Sequence, residues 1–461
     1  MTNWSPDPTL ISRPAYLSLA EQFARAIEDG RLAVGTRLPP HRRLADDLSL
    51  SVQTVSRAYE ELIRRGLVSG EVGRGSFVLG PGGEARPPYL PERPGETIDL
   101  SILKPVVGKS QLDAMRKGFS WLAENVTASA ALSFRPNSVL PMHRAMAADW
   151  LARGGVPVEA ANITITGGAT AAISSAIMGT VPPGAGLATE ALTHHTLMPL
   201  CQYLGLHLEG VAIDDQGMLP AALDDVARKG LIRAVFLQPN VINPLAALMG
   251  AQRRAELIEV ARRHDLAIIE NDILNRLVMD APPPIAALAP ERTLYICGFT
   301  KITVPGLRIA YLAVPSRYAT AVANRYLVTN WMPAPPLVEL LSHWLDDGTA
   351  TALIAAQREA LVGRHLIARS LLPEVGLRSH PQSLHLWLRL PETWQEEGFV
   401  AHARARGVAV APGQAFRATD KGRRESVRVS LGSTSEDELR RGLSCISAIL
   451  GEEPEVLLPT I

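Results

Sequence analysis

The chain has 461 residues, of which 47% are hydrophobic and 20% are charged, as expected for a globular protein of two or three domains. Its 46 basic and 46 acidic side chains cancel, so any contact with nucleic acid must come from a local patch. Residues 1–8 lack the apolar segment of a signal peptide, and no run is long enough to cross a bilayer, so we expect a cytoplasmic protein. Cys201, Cys297 and Cys445 form no C-x-x-C pair, which favours a reducing compartment and argues against a metal site.

The pattern in residues 10–80 predicts three helices followed by a β-hairpin wing. Gly30 ends the first helix, Pro39-Pro40 opens the second and Ser51 caps the third. The residues that we expect to face the core of this unit are Leu19, Phe23, Ile27, Leu44, Leu48, Val55, Tyr59, Leu62 and Ile63. Two short strands flank a glycine-rich tip at residues 70–75.

This pattern favours a winged helix-turn-helix that reads the major groove of DNA. The third helix offers Gln53, Thr54, Ser56 and Arg57 on its polar face. The charge supports DNA binding only weakly, because ten arginines face eight acidic residues in this unit. A small helical interaction domain with solvated arginines is the alternative.

Three motifs in this unit resemble the GntR-type DNA-binding domain. They are G-T-R-L-P-P-H-R-R-L-A at residues 35–45, S-x-x-T-V-x-R-A-Y at residues 51–59 and G-R-G-S-F-V at residues 73–78. The DNA-contacting residues that the resemblance implies are Arg42, Ser51, Val52, Gln53, Thr54, Arg57 and Arg74. Because the family commonly has arginine where this chain has Val52, base recognition is expected to shift to Gln53 or to a thymine methyl group at Val52.

The rest of the chain is expected to form a linker and two larger domains. Residues 81–105 begin with a Pro/Gly-rich stretch without a period, which is typical of a tether. Seven apolar runs, several of them separated by amphipathic helices, predict a mostly parallel sheet covered on both faces at residues 106–332. A smaller α+β domain is expected at residues 333–461. The predicted fold class is therefore a mostly helical winged-helix domain joined to an α/β domain.

Lys301 and Arg308 are the strongest chemical signal in the chain. They lie between two apolar runs at 294–297 and 309–314, so both are held close to the core. A confined lysine can lose its proton and act as a nucleophile, and an arginine suits a phosphate dianion. This pair is what pyridoxal phosphate requires, although a structural lysine is the plain alternative.

Other strand ends carry polar or small residues that fit the same cofactor. Gly167-Gly168-Ala169 precedes a helix whose backbone amides can bind phosphate, and His194 can stack on a flat ring. The amide of Asn243 can donate to a phenolate oxygen, and the acidic stretch Glu270-Asn271-Asp272 can hold a pyridine nitrogen. Taken singly, each is explained equally well by a tight turn or an exposed polar group.

Together these stretches resemble a fold-type I aminotransferase, and the full chain resembles the MocR subfamily of GntR-type regulators. The resemblance implies that Lys301 forms the internal aldimine and that Arg308 with the amides of Gly168 and Ala169 holds the phosphate. The remaining implied positions are His194 for stacking on the ring, Asn243 for the O3′ oxygen and Arg428 for the carboxylate of an effector.

The chain departs from the family pattern at the strand end that holds the pyridine nitrogen. The family usually reads E-D-D with a tyrosine soon after, whereas this chain reads Glu270-Asn271-Asp272-Ile273. Either Asp272 faces the nitrogen in a shifted register or Asn271 does so weakly. Gly298 replaces a common serine, and Asn243-Pro244-Leu245-Ala246 replaces Asn-Pro-Thr-Gly. A weak electron sink would hurt turnover more than amine exchange, which favours a sensor.

The sequence thus predicts a homodimeric, head-to-tail transcriptional regulator that binds operator DNA and senses an amino acid or related amine through a pyridoxal phosphate aldimine. The alternatives are an active aminotransferase with an accessory DNA-binding domain and a regulator whose aminotransferase-like domain has lost its cofactor.

Overall fold

The structure is a computed structural model that describes residues 4–33, 35–64, 66–71, 75–79, 97–132, 134, 141–419 and 424–452. The chain divides into two compact units, with the boundary between residues 93 and 94. None of the helices within these ranges is both long and apolar enough to span a membrane.

The first unit contains three helices and a β-hairpin, as predicted. Its elements are α1 (Ala15–Glu28), α2 (His41–Leu48), α3 (Val52–Arg64), β1 (Val68–Glu71) and β2 (Gly75–Val78), and a 3-10 turn lies at Pro8–Leu10. The two strands pair antiparallel, with Val68 opposite Val78. Phe23 of α1 packs edge-on against Tyr59 of α3, and the Tyr59 hydroxyl donates to the Pro39 carbonyl at 2.9 Å. The prolines that open α2 are thereby tied to α3.

The prediction that Ile63 faces the core of the first unit is wrong. Val55, Tyr59 and Leu62 are fully buried, whereas the Ile63 side chain is 43% exposed. A helix turns about 100° per residue, so Ile63 lies beyond the edge of the stripe that these three side chains form.

The second unit begins with a large α/β part. Its elements are β3 (Ile98–Asp99), α4 (Lys109–Asn125), α5 (Ala128–Leu132), α6 (Pro141–Arg153), β4 (Ile163–Thr166), α7 (Ala169–Thr180), β5 (Gly186–Glu190), α8 (Leu197–Tyr203), β6 (His207–Val211), β7 (Ile213–Asp214), β8 (Gly217–Met218), α9 (Pro220–Ala227), β9 (Ile232–Leu237), α10 (Ala251–Arg263), β10 (Ala267–Asp272), α11 (Ile285–Leu288), β11 (Thr293–Gly298), β12 (Ala310–Ala313) and α12 (Ser316–Asn330). Short 3-10 turns lie at Ala160–Asn162 and Pro305–Leu307.

A smaller part completes the second unit. Its elements are α13 (Pro335–Asp346), α14 (Thr349–Leu371), β13 (Leu377–Ser379), β14 (His385–Arg389), α15 (Glu396–Ala405), β15 (Val408–Ala409), β16 (Ala411–Pro412), β17 (Ser426–Ser430) and α16 (Glu436–Leu450), with a 3-10 turn at Gly413–Phe416. Strands β13, β14, β17 and β16 form a four-stranded sheet in that order.

The large sheet has seven strands in the order β4, β12, β11, β10, β9, β5, β6. Only β12 runs antiparallel to its neighbours, so the predicted mostly parallel sheet is confirmed. Strands β5, β10, β11 and β12 are buried at every position, because helices cover both faces of the sheet. This burial explains why these strands appear in the sequence as largely apolar runs.

Residues 97–105, at the end of the predicted linker, pack on the second unit. Strand β3 pairs in parallel with β15. The Leu100 amide donates to the Ala409 carbonyl at 2.8 Å, and the Ser430 amide donates to the Leu100 carbonyl at 2.7 Å. These bonds hold the following residues, Ser101 to Lys104, beside β17.

Candidate functional site

The predicted site residues of the second unit gather at one edge of the large sheet. Strands β4, β5, β9, β10 and β11 are parallel and end at this edge, and β12 begins there because it runs the opposite way. The predicted site residues at or near these strand ends are Gly168, His194, Asn243, Asn271, Lys301 and Arg308. This edge is where ligands of open α/β sheets bind.

Lys301 lies in the connection between β11 and β12, and its ammonium group is surrounded by other positive charges. Its Nζ donates to the Leu103 carbonyl. Burial, together with the nearby positive charges of Arg428, Arg308 and Lys104, lowers the pKa of Lys301 to about 8. A lysine in these surroundings has a much larger neutral, nucleophilic fraction than a surface lysine.

Arg308 lies beside the N-terminus of α7. Gly168 caps this helix with φ +103°, and a Cβ atom added there would stand 3.4 Å from Arg308 Nη2. The lack of a side chain at Gly168 thus lets the guanidinium approach the first backbone amides of the helix. A guanidinium and a helix N-terminus that meet in this way form an anion-binding site.

Arg428 lies on β17, is 3% exposed and donates hydrogen bonds within the second unit. Its Nη1 donates to Asn243 Oδ1 at 2.9 Å, and its Nη2 donates to the Ser101 carbonyl at 2.6 Å. The guanidinium also stacks on Phe416, with Cζ 4.6 Å from the ring centre. Because Oδ1 of Asn243 accepts from Arg428, the Nδ2 group of the same amide remains as a donor.

His194 and His195 follow β5 and stack on each other with ring centres 4.8 Å apart. Burial lowers the pKa of His194 well below its usual range, helped by His195, Lys301 and Arg428. Burial and the same two cations lower the pKa of His195 to about 4. The Nδ1 atom of His194 lies 2.8 Å from the Thr196 hydroxyl oxygen and 3.4 Å from the Thr196 amide, and the lowered pKa favours a neutral imidazole.

The three polar residues at the end of β10 separate onto two faces of the sheet. The Glu270 carboxyl group accepts from the Ile285 and Ala286 amides at 3.0 and 2.8 Å, and Asp272 accepts from the Tyr295 hydroxyl at 2.7 Å. Successive side chains of a strand point to opposite faces, so Asn271 faces the other way. The structure thus groups Asn271 with the predicted site and leaves Asp272 on the opposite face.

Two departures from the family pattern are linked in space. A Cβ atom added at Gly298 would lie 3.2 Å from Cγ2 of Ile273. Ile273 follows the strand end at which the family places a tyrosine, and Gly298 replaces the family's serine. A serine at position 298 would crowd Ile273, so the two replacements fit each other.

Sequence reasoning missed the segment from Ser101 to Lys104. The carbonyl groups of Ser101 and Leu103 accept hydrogen bonds from Arg428 and Lys301, and Lys104 adds a positive charge near Lys301. The segment had been assigned to the linker. Backbone carbonyls leave no mark in a sequence, and the partners lie 327 and 198 residues away, so no local signal could have revealed these contacts.

In the first unit, the predicted DNA-contacting residues surround the start of α3. Arg42, Ser51, Val52, Gln53 and Arg57 are exposed, and Thr54 is partly exposed. The Ser51 hydroxyl accepts from the Thr54 amide at 3.1 Å, which confirms the predicted helix cap. Arg57 lies over the Tyr16 ring at 4.2 Å, and Arg74 is outside the described residues.

The chain belongs to the aminotransferase class I and II family, whose model matches residues 109–446. Residues 15–78 match the model of bacterial regulatory proteins of the gntR family. A GntR-type helix-turn-helix domain followed by an aminotransferase-like domain is the arrangement of the MocR subfamily.

Curated relatives share the whole arrangement. The chain is 25% identical over 453 residues to the uncharacterized HTH-type transcriptional regulator YdeF of Bacillus subtilis, covering 98% of this chain and 97% of that protein. It is 27% identical over 422 residues to the vitamin B6 salvage pathway transcriptional repressor PtsJ of Salmonella typhimurium, covering 89% of this chain and 92% of the repressor.

Solved structures support the fold of the second unit. The kynurenine aminotransferase of Pyrococcus horikoshii, solved in complex with PMP, superposes with a TM-score of 0.71 and 22% sequence identity. The match covers 79% of this chain and 93% of that enzyme. At this identity, the likeness shows a shared fold.

Pyridoxal 5′-phosphate is the cofactor that the aminotransferase domain indicates. Three features of the structure fit it. Lys301 has a lowered pKa, the Gly168 cap brings Arg308 to the start of α7, and Asn271 presents a buried amide without a hydrogen-bond partner among the described residues. These groups match an aldehyde, a phosphate and a ring nitrogen.

Proposed function

We propose that the protein is a DNA-binding transcriptional regulator that senses an amino acid or related amine through pyridoxal phosphate attached at Lys301. The proposal rests on the presence, in one chain, of a candidate DNA-binding surface and a candidate cofactor site. One is a helix-turn-helix surface around Ser51, and the other is a partly buried lysine with a pKa of about 8 beside Arg308 and Arg428.

The residues of the second unit divide the tasks of holding cofactor and effector. Arg308 and the first amides of α7 hold the phosphate. The neutral His194 ring offers a flat surface for stacking, and Asn243 donates its Nδ2 group to the phenolate oxygen. Bound pyridoxal phosphate supplies an aldehyde carbon that primary amines attack.

Arg428 gives the site its preference for acids. Its guanidinium is buried against Phe416 and oriented by Asn243, so it can bind a carboxylate through two parallel hydrogen bonds. An effector with an amine and a carboxylate would therefore meet Lys301 and Arg428 together. The Ser101 carbonyl, which now accepts from Arg428, would have to give up its bond to such an effector.

On the DNA side, the exposed start of α3 enters the major groove, and Arg42 and Arg57 contact the backbone or bases. Val52 is 44% exposed and offers an apolar surface to a thymine methyl group, next to the exposed amide of Gln53. We expect the regulator to act as a head-to-tail homodimer, in line with the resemblance, since two half-sites are then bound at once.

Borohydride trapping tests the proposal. The purified protein is mixed with pyridoxal phosphate, reduced and digested, and mass spectrometry locates the adduct. We expect the adduct on Lys301, its loss in Lys301→Ala, and its retention in Lys117→Ala, which changes an exposed lysine of α4. Both variants should keep the wild-type melting temperature and bind DNA selected from a random-sequence pool.

Addition of an effector should move the adduct. Each of the twenty protein amino acids is added before reduction, and a true effector should carry the reduced cofactor in place of Lys301. A reducible adduct that persists in Lys301→Ala would contradict the assignment of the lysine. Sustained turnover with amino donors and keto acids would instead support the aminotransferase alternative.

A further inference from the structure

Both acidic side chains at the end of β10 are committed to the face of the sheet opposite α7. Glu270 accepts two backbone amides at the start of α11, and burial raises its pKa to about 8. Asp272 accepts from Tyr295 of the neighbouring strand. Ile268, on the same face as these two residues, packs in a cluster with Ile285. Neither carboxyl group is therefore directed at the cofactor side.

Asn271 faces the side on which α7 lies. Ile269, two residues earlier on the same face, packs in a cluster with Ala172 and Ile173 of α7. The N-terminus of that helix is where Gly168 and Arg308 form the anion site. Asn271, the penultimate residue of β10, therefore lies on the face of the sheet that carries α7 and this anion site.

The side-chain amide of Asn271 is buried and its hydrogen-bonding groups are unpaired among the described residues. The side chain is 2% exposed, and neither Oδ1 nor Nδ2 has a hydrogen-bond partner among the residues that the structure describes. Leaving a buried polar group unpaired is energetically unfavourable. A chain that keeps such a group at a ligand-binding edge is prepared to bond it to a ligand.

Glu190, another buried carboxyl group at this edge, also lies on the face of the sheet opposite α7. Ala188, two residues earlier on β5, packs in the same cluster as Ile268 and Ile285, so Glu190 shares the face of Glu270 and Asp272. A Cβ atom added at Gly217 of β8 would lie 3.6 Å from Glu190 Oε1, which places this carboxyl group against β8. On the α7 side, the last two positions of β5 and β10 offer Thr189, whose hydroxyl is paired with the Thr193 hydroxyl at 2.7 Å, and Asn271, whose amide has no partner among the described residues.

We propose that Asn271 is the partner of the pyridine nitrogen and that its Nδ2 group donates a hydrogen bond to the unprotonated nitrogen. This inference rests on the proposed function. A carboxylate stabilises a proton on the ring nitrogen through its charge, whereas an amide has no charge with which to do so. The site therefore favours the neutral ring.

The consequence is a site that exchanges amines but breaks few bonds. The ring withdraws electrons from a bound amine most strongly when its nitrogen is protonated. Exchange of one amine for another at Lys301 does not need that withdrawal, whereas cleavage of the α C–H bond does. Asn271 thus lets a regulator hold its effector without consuming it.

The ring nitrogen can be observed directly. The wild-type protein is loaded with pyridoxal phosphate labelled with 15N in the ring, and the 15N chemical shift is measured at neutral pH. We expect the value of an unprotonated pyridine in the wild type and in Asp272→Asn, and the value of a protonated pyridine in Asn271→Asp. A protonated ring in the wild type, or a change in Asp272→Asn alone, would overturn the proposal.

Reaction rates give a second, independent measurement. With the twenty protein amino acids as probes, Asn271→Asp should convert the bound cofactor to its amine form at least tenfold faster than the wild type, or about 1.4 kcal/mol of barrier. An unchanged rate together with an unprotonated ring in this variant would contradict the inference.

The two proposals fail in different ways. A wild-type protein with a Lys301 adduct and a protonated ring would overturn the role of Asn271 alone. A wild-type protein that forms no Lys301 adduct would overturn both proposals. If Asn271→Asp does not fold, the wild-type 15N shift still decides.

Discussion

The surroundings of Lys301 lower the proton affinity of its side-chain amine. Burial disfavours the ammonium form, and Arg428, Arg308 and Lys104 repel it further. An unperturbed lysine has a pKa of about 10.4. A folded-state pKa of about 8 leaves roughly a tenth of the amine neutral at pH 7, compared with well under a hundredth for a surface lysine.

This lowered pKa predicts how fast the cofactor attaches. Since the neutral amine is the nucleophile, the attachment rate should rise as the pH passes from 7 to 8 and level off above about 9. The rate is measured by stopped-flow absorbance after addition of pyridoxal phosphate. Arg428→Met removes the second-largest cause of the shift, so it should move the midpoint to higher pH, whereas Lys117→Ala should not. A rate in the wild type that still rises without a plateau at pH 10 would show that Lys301 titrates as an ordinary lysine.

At the scale of helices and strands, the positions of elements were predictable, and their side-chain contacts were less so. Apolar runs located all seven strands of the large sheet within a few residues, and four of these strands are buried at every position, which leaves a clear apolar pattern. The choice between Asn271 and Asp272 depended on which face each side chain occupies. The hydrogen bonds of the two carboxyl groups, to the start of α11 and to Tyr295, fix those faces, and such tertiary contacts leave no pattern in the sequence.

Polar contacts between residues far apart in the chain could not be predicted from the sequence. The bond from Arg428 to the Ser101 carbonyl joins a strand of the smaller part to a segment that had been assigned to the linker. The prediction for Ile63 was wrong for a local reason. Val55, Tyr59 and Leu62 form the buried stripe of α3, and Ile63 lies outside it. Patterns of hydrophobicity predict which elements form, but they carry little information about backbone acceptors.

Ser51 connects the stability of α3 with DNA recognition, and two substitutions separate these roles. Its hydroxyl caps the Thr54 amide, so Ser51→Ala should lower the free energy of unfolding of the first unit by about 1 kcal/mol. Ser51→Asp should keep the cap, because aspartate is an equally good capping residue. The carboxylate would, however, repel DNA phosphates. Thermal unfolding and fluorescence anisotropy with DNA from the random-sequence pool measure the two effects.

If Ser51 acts only as a cap, the outcome differs. Ser51→Asp would then bind DNA as tightly as the wild type, and Ser51→Ala would bind more weakly only to the extent that it is unfolded. Measurement well below the melting temperature of each variant removes that second effect. Undiminished DNA affinity in Ser51→Asp would remove Ser51 from the DNA-contacting residues.

At the scale of the whole molecule, regulation requires that two sites influence one equilibrium. An effector can change DNA affinity only by as much as its own affinity differs between the DNA-binding states of the protein. Such coupling is reciprocal, so the factor by which the effector changes DNA affinity equals the factor by which DNA changes effector affinity. Regulators typically show factors of about 5 to 150. An enzyme that consumes its ligand does not hold it at equilibrium. By slowing the consumption of the effector, Asn271 would keep effector binding reversible, as this coupling requires.

We therefore predict equal coupling factors measured from the two sides. DNA affinity is measured by anisotropy with and without saturating amounts of the amino acid that best displaces Lys301 in the trapping experiment. Effector affinity is measured by cofactor absorbance with and without saturating DNA. Lys301→Ala should bind DNA without any response to the amino acid, because its amine-exchange site is lost. A response that persists in this variant would place sensing elsewhere in the protein. Unequal factors in the wild type would mean that the effector is being turned over, in which case Asn271→Asp should widen the difference.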